Sequence, residues 1–96
     1  MTPSEALISH RTAIRHVVER HHARNARVFG SVLLGHDTEL SDLDLLIDPT
    51  PEMTLLDIGA IRHELITLLG VDVDVLTPNS LPDSFRNKVL SEALPV

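Results

Sequence analysis

The residues most suited to chemistry in this sequence are a glycine–serine pair and two closely spaced acids. Ten residues separate Gly30 and Ser31 from Asp42 and Asp44, which stand at the start of an apolar run. In an extended strand, residues two apart have Cα atoms about 6.6 Å apart and side chains on the same face. Two carboxylates held side by side repel each other unless a cation lies between them or one of them is protonated.

This arrangement predicts a site for magnesium and phosphate. Mg²⁺ binds hard oxygen ligands, usually one or two carboxylates, and completes its shell with water and substrate phosphates. Two such ions about 3.5–4 Å apart stabilise the attacking and leaving oxygens of a phosphoryl transfer. Gly30 lets the backbone approach a phosphate closely, a following helical turn would aim N–H groups at it, and the Ser31 hydroxyl adds a donor. A nucleotide-phosphate site at Gly30 and Ser31 is therefore predicted beside a metal site at Asp42 and Asp44.

A third acid can join this set from a different strand. Valines alternate with Asp72 and Asp74 from Val71 to Leu76, which is typical of a strand with one buried face. If that strand lies beside the one that carries Asp44, a third carboxylate could bind metal and accept the proton of an attacking hydroxyl. Periodicity alone does not choose between Asp72 and Asp74, because both lie on the same face.

The elements that must position these residues follow the order α-β-β-α-β-α. Hydrophobic periodicity, capping residues and glycine or proline stops predict them. They are a helix from the Thr2 cap to about His21, strands over Arg27–Phe29 and Leu43–Asp48, a helix between Thr54 and Gly70, a strand over Val71–Leu76, and a helix over Pro82–Ala93. This order predicts an α/β (α+β) fold, in which helices pack on a small mixed sheet.

Composition restricts the function classes. The 96 residues, 43% of them hydrophobic, predict one domain over residues 1–96 with an aliphatic core, because only two residues are aromatic. The absence of cysteine excludes disulfides and thiolate zinc sites. A net charge of −6 argues against direct nucleic-acid binding. No signal peptide or membrane-length apolar segment is evident, so a cytoplasmic location without membrane contact is expected.

The motifs resemble a known superfamily. RVFGSV and SDLDLLID resemble the core motif of polymerase-β-type nucleotidyltransferases, in which ten residues separate G-S from D-x-D. The whole chain resembles the minimal, antitoxin-type branch of that superfamily, the MNT proteins that are encoded with HEPN-domain toxins. TLLDIGAIRHELITLLG resembles the middle helix of that branch, and VDVLTPNSLPDSFRNKVLSEALPV resembles its third strand and closing helix. The resemblance implies a polymerase-β palm-like fold.

The same resemblance implies an activity and residue roles. Members of this branch transfer AMP from ATP, with Mg²⁺, to a tyrosine of the HEPN toxin, a ribonuclease, and so silence it. By resemblance, Gly30 and Ser31 would bind the nucleotide phosphates. Asp42, Asp44 and Asp74 would be catalytic and would bind a pair of Mg²⁺ ions, with Asp74 as the base. The implied protein is an antitoxin and a protein adenylyltransferase, with ATP as substrate and a HEPN toxin as partner.

One departure from the family pattern keeps a second function open. Many relatives read GSxARG, and Leu34 stands at the place of that arginine. Because an electrostatic contact in a transition state can be worth several kcal/mol, its loss predicts weaker nucleotide binding or turnover. The alternative is a binding module that inhibits the toxin by steric capture. A nucleotidyltransferase acting on RNA or a small molecule ranks last, because the chain has no accessory domain and no basic run.

The middle helix carries one further signal. Its main apolar stripe is predicted to face the sheet and consists of Ile58, Ile61, Leu65 and Leu68. Beside it, Arg62 lies among apolar residues on the helix flank. Arginine is enriched in interfaces, but it also lies with its stem on surface leucines. The flank is therefore a candidate contact with a partner or with another copy of the chain, and an ordinary surface arginine is the alternative.

Overall fold

The computed structural model describes residues 1–96 as a four-stranded mixed sheet with α-helices packed on it, which confirms the predicted fold class. The elements are α1 (Pro3–Ser9), α2 (Arg11–Arg20), β1 (Ala23–Phe29), α3 (Gly30–Leu34), β2 (Leu43–Pro49), α4 (Leu55–Leu69), β3 (Val73–Leu76), a 3₁₀ helix (Pro78–Ser80), α5 (Arg86–Glu92) and β4 (Leu94–Pro95). The strand order is β3-β2-β1-β4. None of the α-helices combines the length and hydrophobicity required to span a membrane.

The two central strands hold the sheet together. β1 pairs antiparallel with both β2 and β4, whereas β2 and β3 run parallel. A parallel pair needs a long crossover connection, and α4 supplies it. The crossover helix begins after Thr54, whose N–H donates to the Asp57 carboxylate at 2.9 Å, and it ends at Gly70 in the left-handed region, φ +70°. Both ends agree with the predicted cap and stop.

One face of the sheet carries the aliphatic core. Nineteen buried residues from α1, α2, α3, α4, the strands and the final residue form one cluster. α4 contributes Ile61, Leu65 and Leu69 to the core. Leu68, which the predicted stripe placed toward the sheet, is 41% exposed, and this part of the prediction is wrong. Leu69, four residues after Leu65, is the buried residue at the C-terminal end of α4 instead.

The predicted order α-β-β-α-β-α is incomplete in three places. The first helix is two helices, because His10 leaves the helical region at φ −130° and its Nδ1 lies 3.1 Å from the Ala6 carbonyl oxygen. Ser4 also anchors α1 elsewhere, since its hydroxyl donates to Asp37 at 2.6 Å. The short α3 and β4 were not predicted as elements, because segments this short do not show a periodic pattern.

Three predicted boundaries also differ, and the first is that of β3, which starts at Val73 rather than at Val71. β1 starts at Ala23 rather than at Arg27, with an irregularity in its pairing between Arg24 and Arg27. Asn25 lies there at φ +55°, as in a β-bulge. Such an irregularity shifts the alternation of buried and exposed residues, so the alternating pattern did not reveal the longer strand. The closing helix begins at Arg86 rather than at Pro82 and ends at Glu92, because residues 82–85 form a turn before α5.

Truncating the core should destabilise the protein strongly. Leu65→Ala removes a fully buried side chain of α4, so the free energy of unfolding should fall by about 2–5 kcal/mol. Leu56→Ala is the matched control on the same helix, because Leu56 is 84% exposed and its loss should change stability by less than about 0.5 kcal/mol. Urea unfolding at constant m-value measures both. Equal losses in the two variants would contradict the assigned packing of α4.

Candidate active site

The strand pairing lines up three side chains across the face of the sheet opposite the core. Phe29 on β1 is the register partner of Asp44 on β2, and Asp44 is the register partner of Asp74 on β3. The alternate residues Leu45 and Val75 are buried in the core. Because strand side chains alternate, Phe29, Asp44 and Asp74 all point away from the core and toward the same side.

Asp42 joins this row from the residue before β2 begins. The pairing of β2 and β3 continues to this end, where the Leu43 N–H donates to the Asp72 carbonyl oxygen at 2.8 Å. Asp74 lies close enough to both Asp42 and Asp44 for its charge to raise the pKa of each. The structure therefore brings together the three acids Asp42, Asp44 and Asp74.

Periodicity left Asp72 and Asp74 equivalent, and the geometry separates them. Asp74 affects the ionisation of both Asp42 and Asp44, whereas Asp72 affects Asp42 alone. Asp74 also lies directly across from Asp44 in the parallel register. It is exposed, so its carboxylate is accessible from solvent.

The crowded acids disfavour full ionisation. Burial raises the pKa of Asp44 to about 6, and the negative charges of Asp74 and Asp42 and a hydrogen bond with Asp74 add to the effect. Burial also raises the pKa of Asp42, followed by the charges of Asp74 and Asp72. The guanidinium of Arg62 opposes this increase in the Asp42 pKa only weakly. At neutral pH the site therefore concentrates negative charge that a divalent cation would stabilise.

Gly30 is required where it stands, for two separate reasons. Its φ is +73°, in the left-handed region that side chains disfavour. A Cβ atom here would overlap the Asp44 Oδ2 atom and lie 3.2 Å from its Cγ. The glycine thus allows the β1–α3 turn to lie directly against the central carboxylate.

Ser31 follows in the first turn of α3, whose buried Val32 holds the helix on the core. Its hydroxyl makes no hydrogen bond within the protein, although its backbone carbonyl accepts from the His36 N–H at 2.9 Å. The side chain is only half-buried, so its hydroxyl is accessible to a ligand at the Gly30 turn. Gly30 therefore adjoins the acid row, and Ser31 follows it directly in the chain.

The donor set fits magnesium in kind and in number. No group of three or more His, Asp or Glu side chains is arranged to hold a metal ion by itself. Mg²⁺ does not need such a cage, because it uses one or two carboxylates and takes its remaining ligands from water and substrate phosphates. Asp42 and Asp44 provide this smaller set of oxygen ligands.

The sequence reasoning missed one residue beside the acids and assigned another only to a possible interface. Phe29 stands beside Asp44, and it could have been found from its place directly before Gly30 and its rarity as one of two aromatic residues. Arg62, assigned to a possible interface, is exposed and acts electrostatically on Asp42. Leu34, at the family's arginine position, is 60% exposed.

Comparison with known proteins agrees with this geometry. The nucleotidyltransferase domain family matches residues 10–96, and this chain therefore belongs to that family. The predictions of the superfamily and of an enzyme of the nucleotidyltransferase class are confirmed by this match.

Two relatives carry more specific names. A protein of Methanocaldococcus jannaschii, provisionally named protein adenylyltransferase MJ0435, is 35% identical over 80 residues, which cover 83% of this chain and 86% of the relative. The protein adenylyltransferase MntA of Thermococcus cleftensis is 34% identical over 88 residues, covering 92% of this chain and 86% of the relative.

Solved structures share the fold. A protein provisionally named a minimal nucleotidyltransferase superposes with a TM-score of 0.86 at 42% identity, covering 97% of this chain and 95% of that one. A toxin–antitoxin structure with AMP-PNP gives a TM-score of 0.70 at 16% identity, covering 96% and 70% of the two chains. The second likeness shows the fold alone, and the first agrees with the family.

Substituting Gly30 should do more than strain the backbone. Gly35 also has a φ of +73°, but a Cβ atom there would meet nothing within 4 Å, so Gly35→Ala is a matched control. Gly35→Ala should cost about 1–2 kcal/mol from the left-handed conformation alone. Gly30→Ala should cost at least about 1 kcal/mol more, because Asp44 must move. Urea unfolding tests this, and equal costs would argue against close packing of Gly30 on Asp44.

Neutralising Asp44 should stabilise the protein at neutral pH in a metal-free buffer. Because the folded pKa of about 6 exceeds the ordinary 3.8, the favourable contribution of the protonated acid is present below about pH 3.8 and is lost as the pH rises through 6. Asp44→Asn should therefore raise the Tm relative to the wild type at pH 7 but not at pH 3.5. Thermal unfolding with EDTA measures the profile. Glu19→Gln, which removes an exposed and unpaired acid, should show no such pH-dependent gain.

Proposed function

We propose that this protein transfers AMP from ATP, with Mg²⁺, to a tyrosine of a partner HEPN ribonuclease toxin and thereby neutralises it. The observation that carries the proposal is the register that places Asp74 across from Asp44, beside the Gly30 turn. The names of the relatives, protein adenylyltransferases, support the reaction class. The likeness of the fold to a toxin–antitoxin structure with AMP-PNP supports the nucleotide and the kind of partner.

Each residue of the site has a role in this reaction. Asp42 and Asp44 would hold Mg²⁺, which would supply positive charge opposite the phosphates. The Gly30 turn accommodates the phosphate tail at close range, and the Ser31 hydroxyl donates a hydrogen bond to it. The tyrosine oxygen attacks the α-phosphorus, the bond to the bridging oxygen breaks, and pyrophosphate departs.

Asp74 is assigned as the base. It accepts the proton of the attacking hydroxyl, and it can act on a protein substrate because its carboxylate is exposed. Its closeness to both other acids, whose pKa values it raises, supports this role. This proximity aligns the nucleophile with the phosphorus that it attacks.

A catalytically weak binding module is the second candidate. Leu34 favours it, because this exposed side chain supplies no positive charge next to the Gly30 turn. Such a module would inhibit the toxin by steric complex formation alone. The three acids have no role in that account, although they determine much of the electrostatics of this face.

Intact-mass spectrometry separates the two candidates. The protein is incubated with the product of its neighbouring gene, ATP and Mg²⁺, and that product is weighed. Asp42→Ala and Asp44→Ala should abolish a mass gain of one or more AMP units. Asp74→Asn should slow transfer by about 10²-fold or more, because it removes the base.

Asp72→Asn is the matched control for Asp74→Asn, since it neutralises an exposed acid of the same segment. It should retain most of the wild-type transfer rate. Toxin inhibition without any mass gain would favour the binding module. Full activity of Asp74→Asn would remove this residue from the mechanism.

A further inference from the structure

A cavity opens beside the acid row, between α3 and α5. Its volume is about 370 Å³, within the range of about 300–1,000 Å³ found for small-molecule pockets. Both aromatic residues of the chain, Phe29 and Phe85, line it, and so do Gly30, Leu34 and Lys88. Because Gly30 also packs against the Asp44 carboxylate, this cavity, here called the α3–α5 pocket, adjoins the predicted phosphate site.

The α3–α5 pocket contains an unpaired ammonium group. Lys88 is the only lysine of the chain, and its exposed ammonium makes no ion pair and no side-chain hydrogen bond. Glu92 lies one turn further along α5 and also lines the pocket, but the two side chains are not paired. An ammonium group has three donors, and all three of these are available to a ligand.

The position of Lys88 is set by the structure around it. Arg86, two residues before it, donates from Nε to the Pro78 carbonyl oxygen at 2.8 Å and from a terminal nitrogen to the Leu81 carbonyl oxygen at 2.7 Å. Leu81 is buried, so these bonds fasten the start of α5 to the segment that follows β3. The helix that presents Lys88 is thus tied to the strand that carries Asp74.

A nucleoside triphosphate bound at this end would need positive charge from an element other than α3. The acid row carries three carboxylates, and a nucleoside triphosphate brings further negative charge. Arg62 acts at the Asp42 end, whereas α3 contains no basic residue. Lysine is a common phosphate ligand that acts as a point charge on a flexible stem. In the α3–α5 pocket, Lys88 is the only basic residue.

We propose that Lys88 binds the terminal phosphates of the nucleotide from the α3–α5 pocket, which it shares with Gly30. The inference rests on the proposed nucleotidyltransferase function and deepens it by naming the residue that recognises the triphosphate tail. Lys88 supplies from α5 the positive charge that Leu34 does not supply from α3. It is a substrate-binding residue and takes no part in proton transfer.

Nucleotide binding by calorimetry tests the proposal on the full chain with Mg²⁺. Lys88→Met should weaken ATP binding roughly tenfold or more, because it removes a charged hydrogen-bond donor. AMP binding should change less than about twofold, since AMP lacks the terminal phosphates. Lys88→Arg should retain ATP affinity. Arg24→Met is the matched control, because it removes the same charge from an exposed, unpaired arginine on β1 and should leave ATP binding unchanged.

A second variant moves the charge across the pocket. Leu34→Lys in the Lys88→Met background returns an ammonium group to the same cavity from the opposite helix. It should recover most of the lost ATP affinity. In transfer assays, Lys88→Met should raise the KM for ATP more than it lowers kcat. Any of three results would overturn the assignment. They are an ATP affinity unchanged by Lys88→Met, equal losses of affinity for ATP and AMP, and no recovery of ATP affinity with Leu34→Lys.

The outcomes also separate this inference from the proposed function. If the wild type transfers AMP and Lys88→Met binds ATP normally, only the role of Lys88 fails. If ATP binding depends on Lys88 but no AMP reaches the partner, the phosphate subsite stands and the transfer reaction fails. If the wild type binds no ATP, both are overturned.

Discussion

The structure depends on one electrostatic constraint, which is that the parallel register of β2 and β3 forces like charges together. Asp44 and Asp74 are direct partners across two strands, and Asp42 stands at the end of the same row. The core residues on the opposite face do not permit a slip, because moving either strand by one residue would place its carboxylates in the core. The burial of aliphatic side chains on the other face of the sheet offsets this repulsion. The row of carboxylates that results is suited to binding a cation.

The elements around the row are arranged to allow this proximity. Gly30 lies against Asp44 only because it has no Cβ and adopts a positive φ. α4 provides the crossover that makes β2 and β3 parallel, and it also presents Arg62 near Asp42. Arg86 ties α5 to the chain after β3. These contacts position the Gly30 turn, Arg62 and α5 around the Asp44 carboxylate.

A division of charge along the row follows from these placements. The acids occupy the middle, Arg62 lies toward Asp42, and Lys88 lies beyond Gly30 in the neighbouring pocket. A magnesium–triphosphate ligand would have the complementary arrangement. Its cation would face the acids, and its phosphate tail would face the ammonium group of Lys88. The exposure of Asp74 leaves one side of the row open to solvent.

Much of this could be predicted from the sequence, because its patterns are local. Alternation placed Asp42 and Asp44 on one side of a strand, caps and stops marked α4, and the glycine–serine spacing indicated the superfamily. Periodicity does not distinguish Asp74 from Asp72, since both share a face, and it is the pairing of β3 with β2 that sets Asp74 directly across from Asp44. The break at His10, the short α3 and β4, and the rotation that exposes Leu68 depend on packing between distant segments. The meeting of Lys88 with Gly30 is likewise tertiary, because 58 positions separate them and only the folding of α5 onto the β1–α3 turn brings them into one pocket.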